Sequence, residues 1–170
     1  DQITHLWESG FNLENGISAH EHAIRFVAQP GRALDVGCGP TGRFIELLKQ
    51  SGFQPEGLDV SGKMLAKARE KHPDVPFHQQ DICIWPLPHR YSFISAWDSV
   101  WHIPLAEQQP VLKRLIEGLE SGGVLIFTFG ATDTAGEPLD DNMGPEVYYA
   151  SLGVDHYLRQ ILECGASSRH

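Results

Sequence analysis

Short apolar runs rich in β-branched and aromatic residues alternate along this chain with stretches of helical period, and that alternation restricts the fold more than any other feature. The runs are 33–36, 57–60, 75–78, 93–97 and 124–129. Strands separated by helices call for a parallel sheet covered on both faces. The punctuation places the helices. Phe44, Ile45, Leu47 and Leu48 form a stripe after Gly42, and Ser51-Gly52 stops it. Ser61 sits at an N-cap position ahead of Met64, Leu65 and Ala68, and His72-Pro73 ends that helix. Val111, Leu112, Leu115, Ile116 and Leu119 form a third stripe, closed by Ser121-Gly122-Gly123, with Pro110 expected in its first turn. Tyr157, Leu158, Ile161 and Leu162 form the last, capped by Gly165. Ala23, Ile24, Phe26 and Val27 predict a helix leading into the first strand.

The expected architecture is a single α/β domain: three αβα layers around a mainly parallel, doubly wound, Rossmann-like sheet. Its 170 residues suffice for one such core. Residues 1–30 are expected as an N-terminal lid and helix, with Trp7 and Phe11 as anchors, 31–130 as the ligand-binding core, and 131–170 as a long loop and the last helix. A net charge of −9 with scattered Lys and Arg disfavours nucleic acid as a partner. No apolar stretch approaches the length of a membrane span, and no signal-peptide pattern opens the chain. The first residue is Asp, so a native start further upstream is expected. Three widely spaced cysteines, Cys38, Cys83 and Cys164, suit a reducing, cytoplasmic setting. The sequence is silent on oligomeric state.

Gly37, Gly39 and Gly42 give G-x-G-x-x-G directly after the first strand and before a helix. Asp59 ends the next strand about twenty residues on, where an acid can accept ribose hydroxyl hydrogen bonds. That pair marks a nucleoside ligand but fits a dinucleotide too. Two residues separate the possibilities. Asp35, just before the first glycine, would repel a pyrophosphate and attract a cation. Pro40 lacks the N–H that a phosphate nest would use. Both favour a ligand carrying positive charge.

The stretch ALDVGCGPTGRF, Ala33 to Phe44, resembles the first motif of class I S-adenosylmethionine-dependent methyltransferases, especially the small bacterial ubiquinone and menaquinone biosynthesis type. GLDVS (57–61), QQDI (79–82), SFISAWDSVWHIP (92–104) and LESGGVLIF (119–127) resemble later motifs of that family in the same order. The resemblance implies methyl transfer to a small-molecule acceptor, with S-adenosylhomocysteine as product. It implies that Asp35, Gly37 and Gly39 lie along the methionine part, with Cys38 and Pro40 shaping the loop. Asp59 would hold the ribose, Val60 and Met64 would pack on adenine, and Asp81 with the Ile82 backbone would meet the adenine amino group. Trp97 would approach the sulfonium, where an aromatic face is apt.

Asp98, Tyr148 and Tyr149 are the expected acceptor-pocket residues, and His102 the candidate general base. No histidine and cysteine spacing fits a metal site, and Cys38 is not expected to be nucleophilic. The family continues past its last helix into an antiparallel hairpin that this sequence lacks, so a hairpin missing from this chain is expected, leaving one sheet edge unpaired. Two further readings are a cofactor-binding module that methylates nothing alone and a nucleotide-dependent oxidoreductase. Asp35 and Pro40 argue against the second.

Overall fold

The structure, a computed structural model, describes residues 14–140 and 146–169. The expected lid anchors Trp7 and Phe11 lie outside the described residues. Helix α1 (Ile17–Ile24) leads into strand β1 (Arg32–Val36). Helix α2 (Arg43–Gln50), β2 (Gln54–Asp59), α3 (Gly62–Lys71), β3 (Phe77–Gln79) and β4 (Tyr91–Ala96) follow. A 3₁₀ turn (Val100–His102) opens α4 (Leu105–Glu117), which runs into β5 (Leu119–Phe127). A two-residue pair, β6 (Leu139–Asp140) with β7 (Val147–Tyr148), precedes α5 (Val154–Glu163).

The main sheet has the order β3-β2-β1-β4-β5, and all its pairings are parallel. The order reverses between β1 and β4, which opens a crevice beyond the strands' C-terminal ends. Alternation along the strands divides the core. Ala33 and Phe93 pack with Leu48 and Phe53 on one face, against Ala23 and Ile24 of α1. Leu34, Val36, Ile94 and Ala96 point the other way and meet Val111 and Leu115 of α4. Leu112 and Ile116 of α4 continue into a third cluster with Tyr157 of α5.

Local chemistry sets the ends of most elements where the pattern predicts. The Ser61 hydroxyl accepts from the Met64 N–H at 3.2 Å and caps α3. Gly165, at φ +76°, closes α5 while Ala166 N–H donates to Ile161 O. Two expectations need correction. Helix α4 stops at Gly118, not at Ser121-Gly122-Gly123, and Leu119 already belongs to β5. A Cβ on Gly118 would lie 2.3 Å from Leu87 Cδ1, so any larger residue must displace that side chain, and Arg90 holds the exit by donating to Glu117 O and Leu119 O. The three later residues form an irregularity within β5, where Tyr91 pairs with Leu119 but Phe93 with Val124. Pro110 lies deep in the second turn of α4 rather than in its first. The carbonyl it leaves without a helix partner belongs to Ala106, and both residues are exposed, so water can take that bond.

Candidate active site

One cavity of about 700 Å³ opens at the C-terminal ends of β1, β2 and β4. At its floor, the glycine loop after β1 is fixed to β2 through backbone. Gly37 N–H and Cys38 N–H both donate to Leu58 O, at 2.7 and 3.0 Å. Gly37 has φ +72°, and a Cβ on it would fall 2.5 Å from Ser99 Cβ. Here the first glycine is demanded twice, by conformation and by close approach. Gly39 also has positive φ, yet a Cβ there would meet nothing within 4 Å.

Asp59 ties the loop to the second strand. Its Oδ2 accepts from Gly39 N–H at 3.0 Å and its Oδ1 from Ser61 N–H at 2.8 Å. Burial pushes its pKa up, against those hydrogen bonds. Val60, 70% exposed, and Met64 present apolar surface beside it. Asp81 turns the next wall: its Oδ1 accepts from Cys83 N–H at 2.8 Å, and Arg114 holds the Ile82 and Cys83 carbonyls. Cys38 is buried, and burial followed by the nearby Asp35 and Asp59 raises its pKa well above normal.

Asp35 departs from its expected place. It is 1% exposed and lies beneath the loop rather than on the cavity wall. Burial raises its pKa to about 7, opposed by a hydrogen bond with Ser95, and its Oδ2 has no hydrogen-bond partner among the described residues. Ser95 in turn meets His20 Nε2 at 2.8 Å, while His20 Nδ1–H donates to Gly16 O at 2.7 Å. The His20 ring stacks on Phe44 at 3.6 Å, and Trp97 closes the group edge-on. Trp97 does line the cavity.

The far end is built from β4's exit and the segment 146–148. Asp98 has φ +52°, the one positive φ at a described non-glycine residue. Asp tolerates that conformation better than most. Its N–H donates to Thr128 Oγ1 at 2.8 Å, and its Oδ2 accepts from Asn15 at 2.9 Å and from Arg43 at 3.3 Å. His102 lines the cavity, but its Nδ1 faces Tyr148 O at 3.0 Å and its Nε2 accepts from Trp101 Nε1–H at 3.0 Å. Tyr148 also lines it; its hydroxyl accepts from Leu105 N–H and donates to Glu137. Tyr149 does not. Its ring sits 4.8 Å from that of His102 and backs the imidazole, so its place in the pocket wall is corrected.

The cavity thus brings together Gly37, Cys38, Gly39, Pro40, Asp59, Val60, Met64, Asp81, Ile82, Trp97, Asp98, His102 and Tyr148. Sequence reasoning missed Arg43, Ser99 and Glu146, which also line it. Arg43 directly follows the last loop glycine, and that adjacency was the available signal. Nothing local marks the other two. Ser99 Oγ is buried beside Gly37 without a partner among the described residues. Among the described residues no group of three metal-binding side chains occurs.

The trans-aconitate 2-methyltransferase of Rhodopseudomonas palustris is 37% identical over 101 residues, covering 58% of this chain and 38% of that protein. The dTDP-3-amino-3,6-dideoxy-alpha-D-glucopyranose N,N-dimethyltransferase of Streptomyces fradiae is 35% identical over 95 residues, covering 55% and 37%. The chain therefore spans about two fifths of the length of these curated relatives. A sugar N-methyltransferase of Streptoalloteichus has the same fold, with a TM-score of 0.78 at 15% identity, covering 100% of this chain and 86% of that one. A family model described as a methyltransferase domain matches residues 33–123, more than half of the sequence, and the chain belongs to that family.

Proposed function

We propose that this chain transfers a methyl group from S-adenosylmethionine to a small-molecule acceptor. One observation carries the reading. A single cavity joins the glycine loop, Asp59, the Val60 and Met64 surface, and the Asp81 turn to a second, chemically different end at Asp98, His102 and Tyr148. Its volume suits a nucleoside ligand together with a small acceptor. Within one domain, residues 31–130 are assigned to the cofactor core, 131–170 to the acceptor-side loop and last helix, and the N-terminal 1–30 to a lid and helix. Among the described residues no helix is long and apolar enough to cross a membrane. Three free cysteines support a reducing, cytoplasmic setting.

When bound, S-adenosylmethionine supplies an electrophilic methyl on a sulfonium. The chain's own residues hold and orient. Asp59 keeps one acceptor lone pair per oxygen for ribose hydroxyls while its N–H partners fix its plane. The Asp81 turn and Val60 would flank the base. Trp97 would wall the sulfonium end, and the cation would favour ionisation of Asp35 below the loop. Positioning and exclusion of water then supply most of the rate. The relatives' acceptors differ in name, from trans-aconitate to an amino sugar nucleotide, and leave the acceptor open.

Calorimetry tests the reading. S-adenosylhomocysteine should bind, and NAD should not. Asp59→Ala should weaken S-adenosylhomocysteine by roughly 1–3 kcal/mol, from ligand hydroxyls left without a partner. Binding of NAD alone, or unchanged affinity in the variant, would overturn the assignment.

A further inference from the structure

The acceptor end of the cavity discriminates between acceptor chemistries. His102 shows how. A carbonyl oxygen only accepts, so the 3.0 Å contact with Tyr148 O requires the proton on Nδ1. The Nε2 lone pair is then the one that could take a substrate proton, and Trp101 Nε1–H already points at it from 3.0 Å. Protonating Nε2 would set two hydrogens against each other in that gap. Burial disfavours the imidazolium as well. The expected base is therefore engaged on both nitrogens, and a hydroxyl acceptor, which must lose a proton as it attacks, finds no imidazole to receive it.

An anionic acceptor meets a different obstacle. Arg43 is the one Lys or Arg among the described residues lining the cavity. Its guanidinium is paired with Asp98 at 3.3 Å, and each side chain is only 11% exposed. Glu146, exposed at the cavity rim, adds a further negative charge. A carboxylate would enter without a cation of its own to clamp it.

We infer that the acceptor is a small primary or secondary amine, so that the reaction is N-methylation. An amine satisfies each constraint. As an ammonium ion it is drawn by Glu146, while Asp98 and Arg43 offset each other. After releasing one proton to water at the Glu146 rim, its lone pair attacks without a protein base. The nitrogen–carbon bond to the methyl forms while the carbon–sulfur bond breaks, and sulfur keeps that electron pair as a neutral thioether. The product leaves as a methylated ammonium ion. The inference rests on the methyl-transfer reading above, and its test separates the two.

The experiment compares cyclohexylamine, cyclohexanol and cyclohexanecarboxylate, similar in bulk, against the full chain saturated with S-adenosylhomocysteine. Calorimetry should show the amine binding at least tenfold more tightly than either control. Label from methyl-tritiated S-adenosylmethionine should enter the amine fraction. Glu146→Gln should cut the amine's advantage several-fold, and Glu146→Lys should reverse the order in favour of the carboxylate; the exposed site makes both safe for folding. Equal binding of the three, a carboxylate preference in the unaltered chain, or no effect of charge reversal would overturn the amine assignment alone. Failure of S-adenosylhomocysteine to bind would overturn the methyl-transfer reading, and the amine assignment with it.

Discussion

The two ends of the cavity are held by different means. The cofactor end is a backbone construction: Gly37 and Cys38 hang from Leu58 O, and Gly39 and Ser61 N–H groups fix Asp59. The acceptor end is a side-chain construction. Gln108, fully buried, donates to Ala150 O and accepts from Tyr157 OH, and His102 and Tyr148 join the 3₁₀ turn to the segment after β7's start. The first should therefore break when a side chain is added, and the second when one is removed.

The largest effect is expected at Gly37. Gly37→Val combines a left-handed conformation, costing roughly 1–2 kcal/mol, with overpacking against Ser99, costing roughly 1–3 kcal/mol. S-adenosylhomocysteine affinity should fall at least about thirtyfold by calorimetry. Gly39→Ala, two positions on, faces open space and should show only the conformational cost, roughly 1 kcal/mol. Equal losses in both variants would mean that conformation alone, and not the approach to Ser99, fixes the first glycine.

Between the two ends runs the buried line Asp35, Ser95 and His20, and here pH is the probe. The His20 pKa is lowered by burial from 6.5 to about 4, so the unfolded chain binds more protons between those values and stability falls as pH drops from 6.5 to 4. The Asp35 pKa is raised by burial from 3.8 to about 7, so the folded chain holds more protons over that range and stability falls as pH rises from 3.8 to 7. The two slopes oppose each other across most of that window. The single Ser95 hydroxyl lies between the two groups, 2.8 Å from His20 Nε2 and hydrogen-bonded to Asp35. Asp35→Asn removes one slope. Its stability relative to the unaltered chain should grow by roughly 3 kcal/mol from pH 4 to pH 7 in urea melts. A pH-independent difference would show that Asp35 is ionised in the fold throughout.

At the acceptor end, Gln108→Leu should strand Ala150 O and the Tyr157 hydroxyl in the interior and cost roughly 2–3 kcal/mol. Hydrogen exchange should speed up around Ala150 and Tyr157 while S-adenosylhomocysteine affinity stays within a few-fold. Loss of cofactor affinity in parallel would erase the distinction between the ends.

That distinction also explains what the sequence could show. The loop, Asp59 and Asp81 are contiguous motifs whose geometry follows from glycine conformations and strand ends, so both their place and the parallel, doubly wound sheet are legible. The acceptor end depends on pairs such as Gln108 with Ala150 and His102 with Tyr148, more than forty residues apart, which no local pattern announces. Asp35 was legible as an acid near the loop but not as one buried beneath it, because its depth is set by packing from β4 and α1. Gly122 and Gly123 imitate a helix stop, yet serve a strand irregularity.

His102 is where the smallest change is expected, and it is the most informative for the side-chain end. Asn at this position can keep the donor toward Tyr148 O, although it gives up the Trp101 bond. If His102 positions Tyr148 and is not a base, His102→Asn should cost under about 1 kcal/mol of stability, the net worth of one hydrogen bond. The rate should fall less than tenfold, mainly through KM, and the pH profile should keep its shape. A general base would instead lose roughly 10²–10⁴ in kcat, together with the limb of the profile that reports its pKa. Because the imidazole is held below its ordinary pKa by burial, that limb would fall on the acid side of 6.5, clear of the range in which a small aliphatic amine gives up its own proton. The two origins of any pH dependence can therefore be separated in one titration.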